Sequence, residues 1–75
     1  MKTIEIKKVE NRDKNILIIL KTLYSEGSEI KSLEDIEKFM ETYNEKGIIK
    51  INFHDEVLDS LNFIKENLNL TFTIQ

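Results

Sequence analysis

The 75-residue chain has no cysteine, proline, alanine or tryptophan, and it has one histidine. Without cysteine it can form neither disulfides nor thiolate metal sites, and a single histidine excludes a metal site built from several imidazoles. A domain of this size buries only about 60% of the surface of its unfolded chain, so it usually needs a disulfide, a metal or a partner chain. We therefore expect no metal and no cofactor, and a protein partner, which includes a second copy of the chain.

Long hydrophobic segments are also absent. The longest apolar run is Ile16 to Leu20, whereas a membrane-spanning helix needs about 20 apolar residues. The first eight residues alternate isoleucine with charged or polar residues, so they lack the apolar core of a signal peptide. The lack of cysteine is compatible with a reducing compartment. These features predict a soluble, cytoplasmic protein without a membrane segment.

The net charge of −3 is unevenly distributed. Residues 1–15 carry five bases and three acids, whereas residues 32–46 carry two bases and five acids. This balance disfavours polyanion binding by the whole surface. The basic residues near the N-terminus also lack the aromatic partners that stack on nucleic-acid bases; they are Lys7, Lys8, Arg12 and Lys14.

The first third of the chain predicts a strand and then a helix. Residues 2–9 alternate, with Ile4 and Ile6 on one face. Asn11 or Asp13 is a suitable N-cap for a helix over about residues 14–26. The apolar positions of that helix are Ile16, Leu17, Ile19, Leu20, Leu23 and Tyr24. Residues 15–20 would also suit a buried strand, but the pattern continues for another helical turn and favours the helix.

A second helix is bounded by clear signals. Gly27 and Ser28 interrupt the pattern, and Ser32 is placed to cap the next helix. The apolar stripe of that helix comprises Leu33, Ile36, Phe39, Met40 and Tyr43. Gly47 is suited to the left-handed position after the helix, with Ile48 folding back onto Tyr43 as in a Schellman motif.

The remaining residues predict a strand, a helix and a strand. Residues 48–53 place Ile49, Ile51 and Phe53 on one face. Asp55 is expected to cap the helix that follows, and its apolar positions are Val57, Leu58, Leu61, Ile64 and Leu68. Over residues 70–75, apolar side chains again alternate with polar ones; the apolar set is Leu70, Phe72 and Ile74.

These elements predict one small α/β (α+β) domain over residues 1–75, of order β-α-α-β-α-β. We expect a two-layer sandwich with a three-stranded mixed or parallel sheet and helices on one face. The last strand, helix and strand have the length of a parallel crossover, yet purely parallel sheets seldom leave one face polar. Either the first strand runs antiparallel or a partner covers the polar face. Two sheet edges would also be open to strand addition. The polar face comprises Thr3, Glu5, Lys7, Lys50, Asn52, His54, Thr71, Thr73 and Gln75.

His54 and Asp55 are the strongest candidates for catalysis, because they lie at the end of a strand. A histidine base needs an orienting carboxylate and a nucleophile or water within reach. Asp55, however, has a structural role as a helix cap, and no glycine-rich phosphate loop follows. We expect His54 to be an ordinary surface residue and the protein to have no catalytic residues.

Four glutamates are predicted to line one side of the second helix, at three- and four-residue spacing: Glu34, Glu37, Glu41 and Glu45. Such a row resembles a line of nucleic-acid phosphates and would suit a basic cleft on another protein. The alternative is a solvated helix face, which is the usual role of a charge run.

Ile18 and Phe63 lie outside the apolar stripes of their helices. A compact monomer would leave both side chains in water. A single exposed apolar residue is ordinary, but aromatic anchors dominate the binding energy of interfaces. Unless the helical phase is shifted and both are core residues, they are candidate partner-binding residues, as are the four glutamates.

Residues 16–27, a second helix and Gly47-Ile48-Ile49 resemble the opening of winged-helix DNA-binding domains. The resemblance covers less than half of the chain and implies a DNA-binding regulator. The region that would supply the recognition helix is acidic, and no basic β-hairpin follows it. DNA binding is therefore the alternative function.

The function we predict is a non-catalytic protein–protein interaction module: a homodimer, or a small inhibitor or adaptor that binds a larger intracellular protein. Neither a nucleophile–base pair nor a metal or phosphate site can be assembled from the sequence. Lysine outnumbers arginine ten to one, and isoleucine and asparagine are frequent. This usage follows AT-rich codons and gives the composition a phage-like or mobile-element-like character.

Overall fold

The computed structural model describes residues 1–8, 16–68 and 72–75. The elements are β1 (Lys2–Lys7), α1 (Ile16–Glu26), α2 (Leu33–Lys46), β2 (Ile48–Phe53), α3 (Leu58–Leu68) and β3 (Thr73–Ile74), with a 3₁₀ turn at Asp55–Val57. The predicted order β-α-α-β-α-β is confirmed. Several predictions lie outside the described residues: those for Asn11, Arg12, Asp13, Lys14, Leu70, Thr71 and the side chain of Leu68.

The sheet has the strand order β2-β1-β3, and β1 is antiparallel to both neighbours. The prediction of a mixed or parallel sheet is therefore wrong. Glu5 lies opposite Lys50 of β2 on one side and opposite Thr73 of β3 on the other. β2 and β3 do run in the same direction, but β1 separates them, so they never pair with each other. An antiparallel sheet with one solvated face explains the alternation in all three strands.

The buried side chains of the sheet and the helices form one cluster on the apolar face of the sheet. Ile4, Ile51 and Phe53 have no exposed surface. The rest of the cluster comprises Ile6, Ile16, Ile19, Leu20, Leu23, Ile30, Ile36, Tyr43, Ile49, Val57, Leu61, Ile64 and Phe72. Lys50 and Asn52, on the opposite face of β2, are exposed. The helices therefore form one layer over the apolar face.

Three apolar residues predicted to pack in the core are exposed instead. Leu17 and Tyr24 of α1 are 40% and 41% exposed, and Leu33 of α2 is 65% exposed. α1 packs against both α2 and α3, yet its buried residues are Ile16, Ile19, Leu20 and Leu23. Leu33 is the first residue of α2, directly after the cap residue, where no neighbouring element covers it. The apolar patterns of α1 and α2 are thus wider than the faces that these helices bury.

Both ends of α2 are closed by specific hydrogen bonds. The Asp35 N–H donates to Ser32 Oγ at 3.2 Å, and the Lys31 N–H donates to Asp35 Oδ2 at 2.8 Å. At the other end, Gly47 has φ 74° and its N–H donates to the Tyr43 carbonyl at 2.9 Å. This single bond is the αL closure rather than the predicted Schellman pairing, and Ile48 already begins β2.

The loop after α1 contains a buried hydroxyl, that of Ser28, which the sequence pattern did not predict. Ser28 is 1% exposed, and its Oγ donates to the Leu23 carbonyl at 2.9 Å and accepts from the Ile30 N–H at 3.0 Å. The hydroxyl thus satisfies a carbonyl at the end of α1 and holds the turn that places Ile30 in the core.

Replacing Ser28 with alanine should destabilise the fold by about 1–2 kcal/mol, because the Ile30 N–H loses its partner and the Leu23 carbonyl keeps only its bond from the Gly27 N–H. Urea denaturation monitored by circular dichroism measures the change. Ser25→Ala, on the exposed surface of α1, is the matched control and should shift the free energy of unfolding by less than about 0.5 kcal/mol. Equal effects of the two substitutions would contradict the capping role of Ser28.

Candidate functional site

His54 and Asp55, the candidates for catalysis, lie directly after β2 and make separate contacts. The His54 N–H donates to the Gly27 carbonyl at 3.2 Å, and no ion pair joins the two side chains. Asp55 does not cap α3 as predicted. A 3₁₀ turn precedes the helix, with His54 as an N-cap that makes no side-chain bond. The Asp55 carboxylate lies 3.9 Å from the N-terminal ammonium instead. Within the described residues, no group of three or more His, Cys, Asp and Glu side chains is placed to hold a metal ion.

The polar face of the sheet is occupied by contacts between its own side chains. Thr3 Oγ1 donates to Asn52 Oδ1 at 2.7 Å. The Glu5 side chain is only 14% exposed and lies 3.6 Å from Lys50 Nζ. Lys7 Nζ lies 3.7 Å from the same carboxylate, and Gln75 Nε2 donates to it at 3.1 Å. This network pairs the central charges of the face, and no described aromatic ring stands there for a base to stack on.

The edges of the sheet have some backbone groups bonded by other parts of the chain, and strand addition at these edges stays a prediction. Along β2, the Glu29 N–H donates to the Asn52 carbonyl at 3.0 Å, and Glu29 Oε1 accepts from the Asn52 N–H at 2.8 Å. Lys65 Nζ donates at 3.2 Å to the carbonyl of Phe72, the residue directly before β3. A charged side chain on an exposed edge group is a common defence against unwanted strand pairing.

Exposed apolar surface is concentrated on the helices. Apart from Met1, every large hydrophobic side chain that the described residues expose belongs to a helix: Leu17, Ile18, Tyr24, Leu33 and Phe63. Ile18 is 40% exposed and Phe63 is 67% exposed, in agreement with their positions outside the stripes. In the described part of the chain, the exposed apolar side chains other than Met1 therefore all lie on the helix layer.

A groove of about 430 Å³ lies on the surface between α1 and α3. We call it the α1–α3 groove; its lining residues are Thr22, Glu26, Asp59, Ser60, Phe63 and Ile64. Ser60 Oγ donates to Glu26 Oε1 at 2.7 Å, which ties the end of α1 to the start of α3. Thr22 Oγ1 donates to the Ile18 carbonyl at 2.8 Å, so Ile18 lies one turn along α1 from the groove. The groove thus has an apolar side at Phe63 and two carboxylates.

Most of these lining residues were not predicted from the sequence. Thr22 and Glu26 follow Ile18 at successive four-residue steps on α1, and Asp59 and Ser60 lie one turn before Phe63 on α3. Residues at these spacings share a helix face. The spacing could therefore have grouped these residues on one face of each helix, but it does not predict that the two faces lie side by side.

The four glutamates of α2 form a separate surface. Glu34, Glu37, Glu41 and Glu45 are all exposed, on the side of α2 opposite the buried Ile36 and Tyr43. None of them lines the α1–α3 groove. The structure therefore brings the neighbourhoods of Ile18 and Phe63 together but does not join the acidic row to them.

The elements differ from what the winged-helix resemblance implies. β2 leads into α3 rather than into a second strand of a hairpin, and α2 presents the acidic row. Of the basic residues near the N-terminus, Lys7 contacts Glu5, and Lys8 Nζ lies 5.8 Å from the centroid of the Tyr43 ring.

No protein-family model, curated protein or solved structure matches the chain. Among the described residues, no helix has the length and apolarity to cross a bilayer.

Proposed function

We propose that this protein is a non-catalytic interaction module that binds a larger intracellular protein through the α1–α3 groove and the exposed apolar side chains beside it, and so acts as an inhibitor or adaptor. The observation that carries the proposal is the position of Phe63, an aromatic ring 67% exposed beside the α1–α3 groove. Aromatic residues next to a pocket are the usual centres of binding energy at interfaces.

The polar face and the edges of the sheet have fewer free groups for a partner to bind. On the polar sheet face, the Glu5 carboxylate contacts Lys50 and Gln75, and the Asn52 amide contacts Thr3. Glu29 occupies backbone groups of Asn52 on β2, and Lys65 bonds the carbonyl of the residue before β3. A partner that covers Phe63 and Ile18 would remove apolar surface from water, at about 25 cal/mol per Å². A small domain without disulfides gains stability from such a contact.

The proposal is tested by affinity capture with Phe63→Asp. The tagged wild-type chain should retain a specific protein from a lysate of its native cells, and the substitution should weaken that retention at least tenfold, because a charge would replace the aromatic anchor. Ile18→Asp should weaken it by a smaller factor. Melting temperatures should remain close to the wild-type value, because both side chains are exposed.

Leu33→Asp is the matched control. Leu33 is 65% exposed, almost as much as Phe63, but it lies on α2 and does not line the α1–α3 groove. Its substitution should leave capture unchanged. Unaltered capture by Phe63→Asp would refute the proposal, as would a wild-type chain that retains no protein and remains a monomer at high concentration.

A further inference from the structure

We infer that the α1–α3 groove receives one amphipathic helix of the partner, with its apolar side on Phe63 and Ile18 and with lysine or arginine side chains facing Glu26 and Asp59. This inference rests on the proposed function and adds the secondary structure and the charge of the segment that binds.

The walls of the groove favour a helix over an extended strand. Both walls are α-helices, whose backbone N–H and C=O groups bond within the helix. An extended peptide laid between them would find no ladder partners for its own backbone, whereas a helix satisfies its backbone internally. The lining spans residues 22–26 of α1 and 59–64 of α3, and Ile18 lies one further turn along α1. At 1.5 Å per residue the α1 side is therefore about 12 Å long, which matches about two turns of a bound helix.

The charge of the groove selects a basic partner. Its lining contains two carboxylates, Glu26 and Asp59, and no basic residue. In the described part of the chain no ion pair involves either carboxylate. Lys65 of α3 is engaged elsewhere, because its ammonium donates to the Phe72 carbonyl and lies 5.4 Å from the centroid of that ring. Lys21 of α1 does not line the groove.

The same charges argue against a second copy as the occupant. A symmetric dimer through this groove would bring Glu26 and Asp59 against carboxylates of the other copy. Like charges facing each other across an interface are unfavourable, and the net charge of −3 adds to the repulsion. A heterologous partner with a basic helix meets no such penalty.

Two synthetic peptides test the inference. Each is an amphipathic helix of about 18 residues, long enough to form a few turns, with leucine along one face. The polar face carries lysine in one peptide and glutamate in the other. Calorimetric titration of the full chain should show saturable binding of the lysine peptide, at least tenfold tighter than the glutamate peptide. Phe63→Ser should weaken binding of the lysine peptide at least tenfold.

The charge contribution is isolated by two double variants of equal net charge. Glu26→Gln with Asp59→Asn should weaken binding of the lysine peptide about three- to tenfold and strengthen binding of the glutamate peptide. Glu34→Gln with Glu37→Gln removes two charges from α2 and should leave both affinities unchanged. The side-chain oxygen of glutamine at position 26 can still accept a hydrogen bond from the Ser60 hydroxyl, so the groove keeps its shape.

Three results would overturn the inference: no binding of the lysine peptide, equal losses from the two double variants, or a wild-type dimer in light scattering that Phe63→Ser dissociates. If any of these occurs while capture of a protein still depends on Phe63, the helical, basic partner is rejected and the interaction module stands. Loss of that dependence rejects the proposed function itself.

Discussion

Replacing Phe53 with alanine should destabilise the protein by about 3–5 kcal/mol, the cost of deleting a fully buried aromatic side chain. Phe53 has no exposed surface and ends β2, where it pairs with Lys2 of β1 and bridges to Ser28. A chain of 75 residues has a total stability of only about 4–11 kcal/mol. The variant should therefore be substantially unfolded at room temperature or in low urea.

Phe63→Ala is the matched control, because it deletes the same atoms from an exposed site. With 67% of its surface in water, Phe63 contributes little to folding, and its removal should change the free energy of unfolding by less than about 0.5 kcal/mol. Urea titrations of the two variants give both values. A loss at Phe63 as large as that at Phe53 would show that the ring is packed, and the proposed binding surface would disappear.

Replacing Gly27 with alanine should cost about 2–3 kcal/mol, because Gly27 adopts a backbone conformation that side chains rarely allow. Its φ is 130°, and a Cβ atom there would lie 2.9 Å from His54 Cδ2. The substitution therefore combines backbone strain with a steric clash against the imidazole. Thermal and urea denaturation of the variant measure the sum of the two effects.

His54→Ala separates the two contributions. On its own it should change stability by less than about 0.5 kcal/mol, because the side chain is exposed. Combined with Gly27→Ala, it should recover less than half of the loss, since it removes the clash and leaves the backbone strain. Complete recovery in the double variant would show that the imidazole, and not the positive φ, makes glycine necessary.

The pattern of apolar residues predicted the helices and strands well, but it predicted poorly which strands lie next to each other. Alternation in the strands correctly assigned Ile4, Ile51 and Phe53 to the buried face. It did not reveal that β1 lies between β2 and β3. A strand–helix–strand segment reads the same whether its strands are adjacent or separated by a third, because the difference is made by a strand distant in sequence.

The core and the candidate surface show the same limit. Helical phase correctly identified Ile18 and Phe63 as exposed, but it wrongly placed Tyr24 and Leu33 inside. Periodicity gives the direction of an apolar face, and only packing fixes its width. Ile30 and Ser28 were missed because they lie in a loop, where no repeating pattern exists. The α1–α3 groove was missed because it requires two helices distant in sequence to meet.

The position of β1 has a consequence for how the protein is made. β1 leaves the ribosome before the other two strands of the sheet, yet it is the central strand: Ile4 pairs with Ile51, and Thr3 exchanges two backbone hydrogen bonds with Gln75, at 3.3 and 2.8 Å. The nascent chain cannot complete its sheet until residue 75 has emerged. β1 has two unpaired edges until β2 has emerged and one until β3 has emerged, so the interval between the synthesis of β1 and that of β3 is when the polypeptide is most exposed to aggregation and most dependent on chaperones.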